Sequence, residues 1–82
     1  MLPVSTFLLI ALRHSGQRGA SQEILLAHAR TQGYETLTEP QLERELRTLA
    51  DAKLVAPYEQ AVLGKRWRIS SLGESHLQEA GL

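Results

Sequence analysis

The chain has no cysteine, 3 prolines, one tryptophan and one phenylalanine, and its aromatic fraction is 5%. Without thiols it can build neither a disulfide framework nor a thiolate metal site. A reducing, cytoplasmic compartment is therefore the expectation. Charge of one sign is also missing, with 9 Lys+Arg against 9 Asp+Glu and a formal net charge of zero. Such a balance gives no global sign of a polyanion partner. Long hydrophobic runs are absent too. The strongest, Phe7 to Leu12, is far short of the roughly 20 residues needed to cross a bilayer. Its basic neighbour, Arg13, follows the apolar run, whereas a secretory signal places basic residues before it. No membrane partner is expected. Catalytic patterns are equally scarce. His14, His28 and His76 fall in different segments, and no two share the spacing of a helical metal pair. There is no Gly-rich phosphate loop and no ordered Ser, His and acid set. The chain is read as a non-enzyme with no metal and no cofactor.

What is present is a compact amphipathic grammar. The 82 residues allow one small domain, residues 1–82. A hydrophobic fraction of 43% beside a charged fraction of 22% argues for a packed core rather than disorder. Pro3 opens a helix over Val4 to His14, and Ser15-Gly16 closes it. Phe7, Leu8, Leu9, Ile10, Ala11 and Leu12 make that helix apolar all the way round. Either the domain wraps it or one side meets a partner. Gln17 to Ala20 reads as a polar connection. Ser21 then caps a second helix that runs to about Gln32, with Ile24, Leu25, His28 and Ala29 on one side and Gly33 as its stop.

Thr38-Glu-Pro-Gln41 carries the clearest local signal. Thr38 is placed to cap, Pro40 suits a first turn, and Gln41 stands three residues on from Thr38, as a capping box requires. The third helix runs to about Ala52, with Leu42, Leu46 and Leu49 as one apolar stripe. The period then changes to two. Leu54 to Tyr58 reads as a strand meeting Pro57, hence an edge or a strand end. Glu59 to Gly64 reads as a loop, with Val62-Leu63 at its tip. Lys65 to Ile69 alternates, with Trp67 and Ile69 inward and Arg66 and Arg68 outward. Ser70 or Ser71 caps a last helix through Glu79, with Ser71 and Glu74 as a second capping-box candidate and Leu72 and Leu77 packing it on the core.

The expected fold is mainly α with a β-hairpin wing (α+β), in the order α-α-α-β-β-α. Three helices followed directly by a hairpin match a winged helix-turn-helix. The segment Leu46-Arg-Thr-Leu-Ala-Asp-Ala-Lys-Leu-Val55 resembles the "L-x-x-L-x-x-x-G-L-V" helix end of MarR, PadR and ArsR-type regulators, with Lys53 in place of the usual Gly. Trp67-Arg-Ile-Ser-Ser-Leu-Gly73 resembles their "Y-x-L-T-x-x-G" passage from wing to last helix. A looser resemblance is to small winged-helix proteins of Mu-like prophages, through Gln41-Leu-Glu-Arg-Glu-Leu46.

The first resemblance implies a small DNA-binding regulator of transcription. Carried onto this chain, Gln41, Arg44 and Thr48 are candidates to face bases and Arg47 to contact the backbone. Lys65, Arg66 and Arg68 are candidates for wing contacts to phosphate. Opposing this, Thr38 to Leu54 holds four acids (Glu39, Glu43, Glu45 and Asp51) against three bases. Each acid works against affinity for a polyanion, and Glu43 with Arg47 has the spacing of an intrahelical ion pair. A homodimer through Phe7, Leu8, Ile10 and Ala11 would supply two half-sites. The alternative expectation is a winged-helix module that binds protein rather than DNA, encoded by a prophage. Its candidate surfaces are the apolar first helix and Val62-Leu63.

Overall fold

A computed structural model of the chain describes residues 2–62 and 64–82. The order is α1 (Val4–Ser15), a one-turn 3-10 helix (Gly16–Arg18), α2 (Gln22–Thr31), α3 (Glu39–Asp51), β1 (Val55–Gln60), β2 (Gly64–Ile69) and α4 (Ser71–Glu79). This is the winged-helix layout, mainly helical with one antiparallel hairpin. Leu63 lies outside the described residues.

The apolar girdle of α1 has its explanation inside the domain. The helix packs against α2, α3, α4 and β2, so it is covered on several sides at once. Leu8 and Leu12 are fully buried, Leu9 and Ala11 are buried, and Phe7 and Ile10 are half-buried against the same core. Of the dimer surface expected at Phe7, Leu8, Ile10 and Ala11, the Leu8 and Ala11 assignments are corrected: both belong to the core of their own chain, whereas Phe7 and Ile10 are half-buried. Phe7 also meets two α2-side rings, His28 edge-on at 5.4 Å and Tyr34 tilted at 5.2 Å between centroids. On α2 only Leu25 and Ala29 are buried, whereas Ile24 is exposed.

On α3, Leu42, Leu46 and Leu49 are all buried, as their spacing requires. With Leu8, Leu12, Leu25 and Leu77 they form the centre of the core. Each such side chain contributes about 1.5–3 kcal/mol through burial. The capping box is complete: the Gln41 backbone N–H donates to Thr38 Oγ1 at 3.3 Å, and the Thr38 N–H donates to Gln41 Oε1 at 3.0 Å.

The hairpin runs closer to its tip than the sequence suggested. Val55 pairs with Ile69, Pro57 with Trp67, Tyr58 with Arg66 and Gln60 with Gly64. The connection before α2 is not merely a link, because Ala20 bridges Trp67 on the far side of β2. Trp67 sends both its N–H and its C=O to Ala20, each at 2.8 Å. Its pairing with Pro57 is then one of the non-hydrogen-bonded positions of the ladder. Proline's missing donor costs the hairpin nothing there, and it blunts the free edge of β1.

Three backbone devices aim the hairpin and α4. Lys53 takes φ 65°, the left-handed conformation that favours glycine. Its carbonyl accepts from Ser70 Oγ at 2.7 Å, and the same Oγ accepts from the Gly73 N–H at 3.0 Å. Ser70 is therefore the cap of α4, and the box expected between Ser71 and Glu74 does not form. A Cβ on Gly73 would overlap the Leu54 carbonyl oxygen, which is why glycine stands there. Leu77 is fully buried, but Leu72 is exposed, because only one face of α4 meets α1.

Candidate nucleic-acid interface

The α3 stripe that packs inward fixes what points outward. Gln41, Arg44, Arg47, Thr48 and Asp51 are exposed, with Glu45 half-buried beside them. Most of these side chains already have bonds. Gln41 spends its amide oxygen on the cap of its own helix, so a two-bond contact to adenine, the pairing open to a glutamine that faces bases, would compete with that cap. Arg47 pairs with Glu43 at 3.2 Å, the intrahelical pair its spacing anticipated. Thr48 Oγ1 donates to the Arg44 carbonyl at 3.0 Å. Arg44 alone among the seven candidate residues has no side-chain hydrogen bond, ion pair or ring contact among the described residues.

Two shallow grooves flank this helix. On one side Arg44, Gln41 and Glu45 face Leu2, Tyr34 and Leu37. The turn behind them is held by Arg30, whose Nε and Nη2 donate to the Leu37 carbonyl at 3.2 and 3.1 Å. On the other side Arg47, Ala50 and Asp51 face Pro57, Lys65 and Trp67 across the base of the wing. Trp67 is buried, as expected of a core residue, and its indole N–H has no partner among the described residues.

The register divides the wing basics that the sequence had grouped. Directly paired residues share a face. The inner face carries Val55, Pro57 and Glu59 opposite Ile69, Trp67 and Lys65. The outer face carries Ala56, Tyr58 and Gln60 opposite Arg68, Arg66 and Gly64. Lys65 therefore belongs with Trp67, with Nζ 5.2 Å from the ring centroid. Arg66 and Arg68 lie on the opposite surface. Neither extends freely into solvent. Arg66 donates to the Arg18 carbonyl through Nε at 3.0 Å and to the Gly19 carbonyl through Nη2 at 3.2 Å. Arg68 lies over the Tyr58 ring, 4.8 Å from its centroid. The Tyr58 hydroxyl also donates to the Arg18 carbonyl.

Sequence reasoning passed over Arg18 and Tyr58. A signal existed in Gly16-Gln-Arg-Gly19, two glycines bracketing a basic residue. Both take positive φ, and a Cβ on Gly19 would overlap the Trp67 carbonyl oxygen. At the tip Val62 is 91% exposed, so it does not fold back on the hairpin. No cluster of His, Asp or Glu able to hold a metal ion occurs among the described residues, and no described helix is long and apolar enough to cross a membrane. No protein-family model, curated protein or solved structure matches this chain.

Proposed function

We propose that this protein binds double-stranded DNA as a small cytoplasmic regulator of transcription, with α3 as its reading helix. The reading rests on one observation. The exposed stripe of α3 presents Arg44, without a side-chain partner among the described residues, beside Arg47 and Thr48, and Lys65 stands across a groove from Arg47. A free guanidinium can take two bonds to guanine, while Arg47 and Lys65 suit phosphates on either side of the groove. Gln41 is left out of the contact set, since its amide serves the cap. With Leu8 and Ala11 in the core of their own chain, one domain is taken as the contact module.

Fluorescence anisotropy with a mixed-sequence duplex at low salt tests the proposal. The wild-type protein should bind, and an Arg44→Glu/Arg47→Glu variant should bind at least ten-fold more weakly. Reversing two charges on the contact face alters the counterion balance that drives such binding. Equal affinity of the two proteins, or no binding by either, would overturn it.

The exposed Val62 favours a second reading, in which the wing tip meets a protein partner. A Val62→Ser variant separates the two, since it removes the apolar contact without adding a charge that would itself weaken DNA binding. If it loses DNA affinity, the tip belongs to the DNA surface and the second reading falls.

A further inference from the structure

The zero net charge of the chain hides a division between the two faces of the wing. Near the tip the inner face pairs Glu59 with Lys65, one charge of each sign. The outer face of the same two strands carries Arg66 and Arg68 and no acid. The backbone of a third arginine, Arg18, is brought to this face from outside the hairpin. The Arg18 carbonyl accepts from Tyr58 and from Arg66, a directly opposed cross-strand pair. The adjoining Gly19 carbonyl takes the second Arg66 bond, and the chain continues into the Ala20–Trp67 bridge. The turn bearing Arg18 is thus fastened to the outer face at successive carbonyls. Arg18 and Arg68 are exposed, while Arg66 is half-buried. One acid, Glu74, shares the neighbouring groove with Arg68.

From this arrangement we infer that Arg18 and Arg68 form a phosphate-contacting surface on the outer face of the wing, with Arg66 as the positioning residue that holds the Arg18 turn in place. The inference rests on the DNA reading above and adds to it a residue from the α1–α2 turn. The occupant is the phosphate backbone of the duplex. Charge complementarity selects it, since a strand face with two arginines and no acid, extended by a third arginine, suits a row of anions. Arg66 differs from the other two because Nε and Nη2 are already committed to carbonyls. Arg68 contacts the Tyr58 ring and is exposed, with no hydrogen bond or ion pair from its side chain among the described residues.

The test is a salt titration of duplex binding by the wild type, Arg44→Glu, Arg18→Ala, Arg68→Ala and Arg66→Lys. Arg18→Ala and Arg68→Ala should each weaken binding several-fold and reduce the slope of log affinity against log salt by about 1, the signature of one lost phosphate contact. Arg66→Lys keeps the charge but not the fork that grips two carbonyls. It should weaken binding as Arg18→Ala does, with thermal unfolding confirming that the fold persists. Wild-type slope and affinity in Arg18→Ala and Arg68→Ala, with Arg44→Glu still impaired, would overturn this inference and leave the DNA reading standing. No binding by the wild type would remove both.

Discussion

The two faces of the wing are built from the same twelve residues by different means. The inner face is held by burial, with Val55 and Trp67 in the core and Ile69 packed against it. The outer face is held by polar side chains that reach one turn, Tyr58 and Arg66 on the carbonyls of Arg18 and Gly19. Burial is strong and indifferent to direction, whereas single hydrogen bonds contribute little net stability and place atoms closely. The inner face therefore carries the stability of the hairpin, and the outer face carries the position of its arginines. A lone hairpin is marginal in water, so this division decides which mutations unfold the wing and which only loosen its surface.

The largest effect should come from the inner face. Trp67→Ala removes a side chain that is 2% exposed, and truncations of this kind cost about 3–5 kcal/mol. Urea denaturation should show that loss, a large share of the stability of so small a domain. Next comes the junction between the faces. Gly19→Ala meets both a positive φ and the Trp67 carbonyl oxygen, and overpacking against backbone costs about 1–3 kcal/mol. The same denaturation should place it between the tryptophan variant and any outer-face variant. Tyr58→Phe, on the outer face, deletes one hydroxyl and should cost about 0.5–1.5 kcal/mol. If Tyr58→Phe proved as damaging as Trp67→Ala, the division of labour between the faces would be wrong.

Much of this fold is legible in local sequence because local physics settles it. The capping box at Thr38, the leucine stripe of α3 and the alternation around Trp67 are short-range patterns, and all three stand as read. Long-range facts are less legible. Whether α1 is wrapped by its own chain or by a partner depends on where α2, α3, α4 and β2 converge, which its composition cannot show. The cap of α4 turned on a choice between adjacent serines, and the contact of Ser70 with the Lys53 carbonyl decides it. The candidate site suffers most. Lys65, Arg66 and Arg68 look like one basic cluster in sequence, but the period of two and the bridge to Ala20 send them to opposite faces. Arg18 joins Arg66 through backbone carbonyls, a contact with no side-chain pattern to announce it.

The smallest effect lies where α3 hands over to the hairpin. Lys53 holds φ 65° without being glycine, a conformation that costs an ordinary residue about 1–2 kcal/mol. Its charge works in the other direction, since a cation near a helix C-terminus is favourable by about 0.3–1 kcal/mol, and α3 has no basic residue in its last turn. Comparing Lys53→Gly with wild type would mix the two contributions. Comparing Lys53→Gly with Lys53→Ala separates them, because both lose the charge and only alanine keeps the strained backbone. Glycine should be the more stable of the pair by about 0.5 kcal/mol after its greater freedom in the unfolded chain is counted. A thermal unfolding series on the two variants would read this as a higher midpoint for glycine. Equal midpoints would mean that the turn relaxes away from positive φ when the lysine is gone. The inner face would then be aimed by the Ser70 contact to the Lys53 carbonyl rather than by the backbone at residue 53.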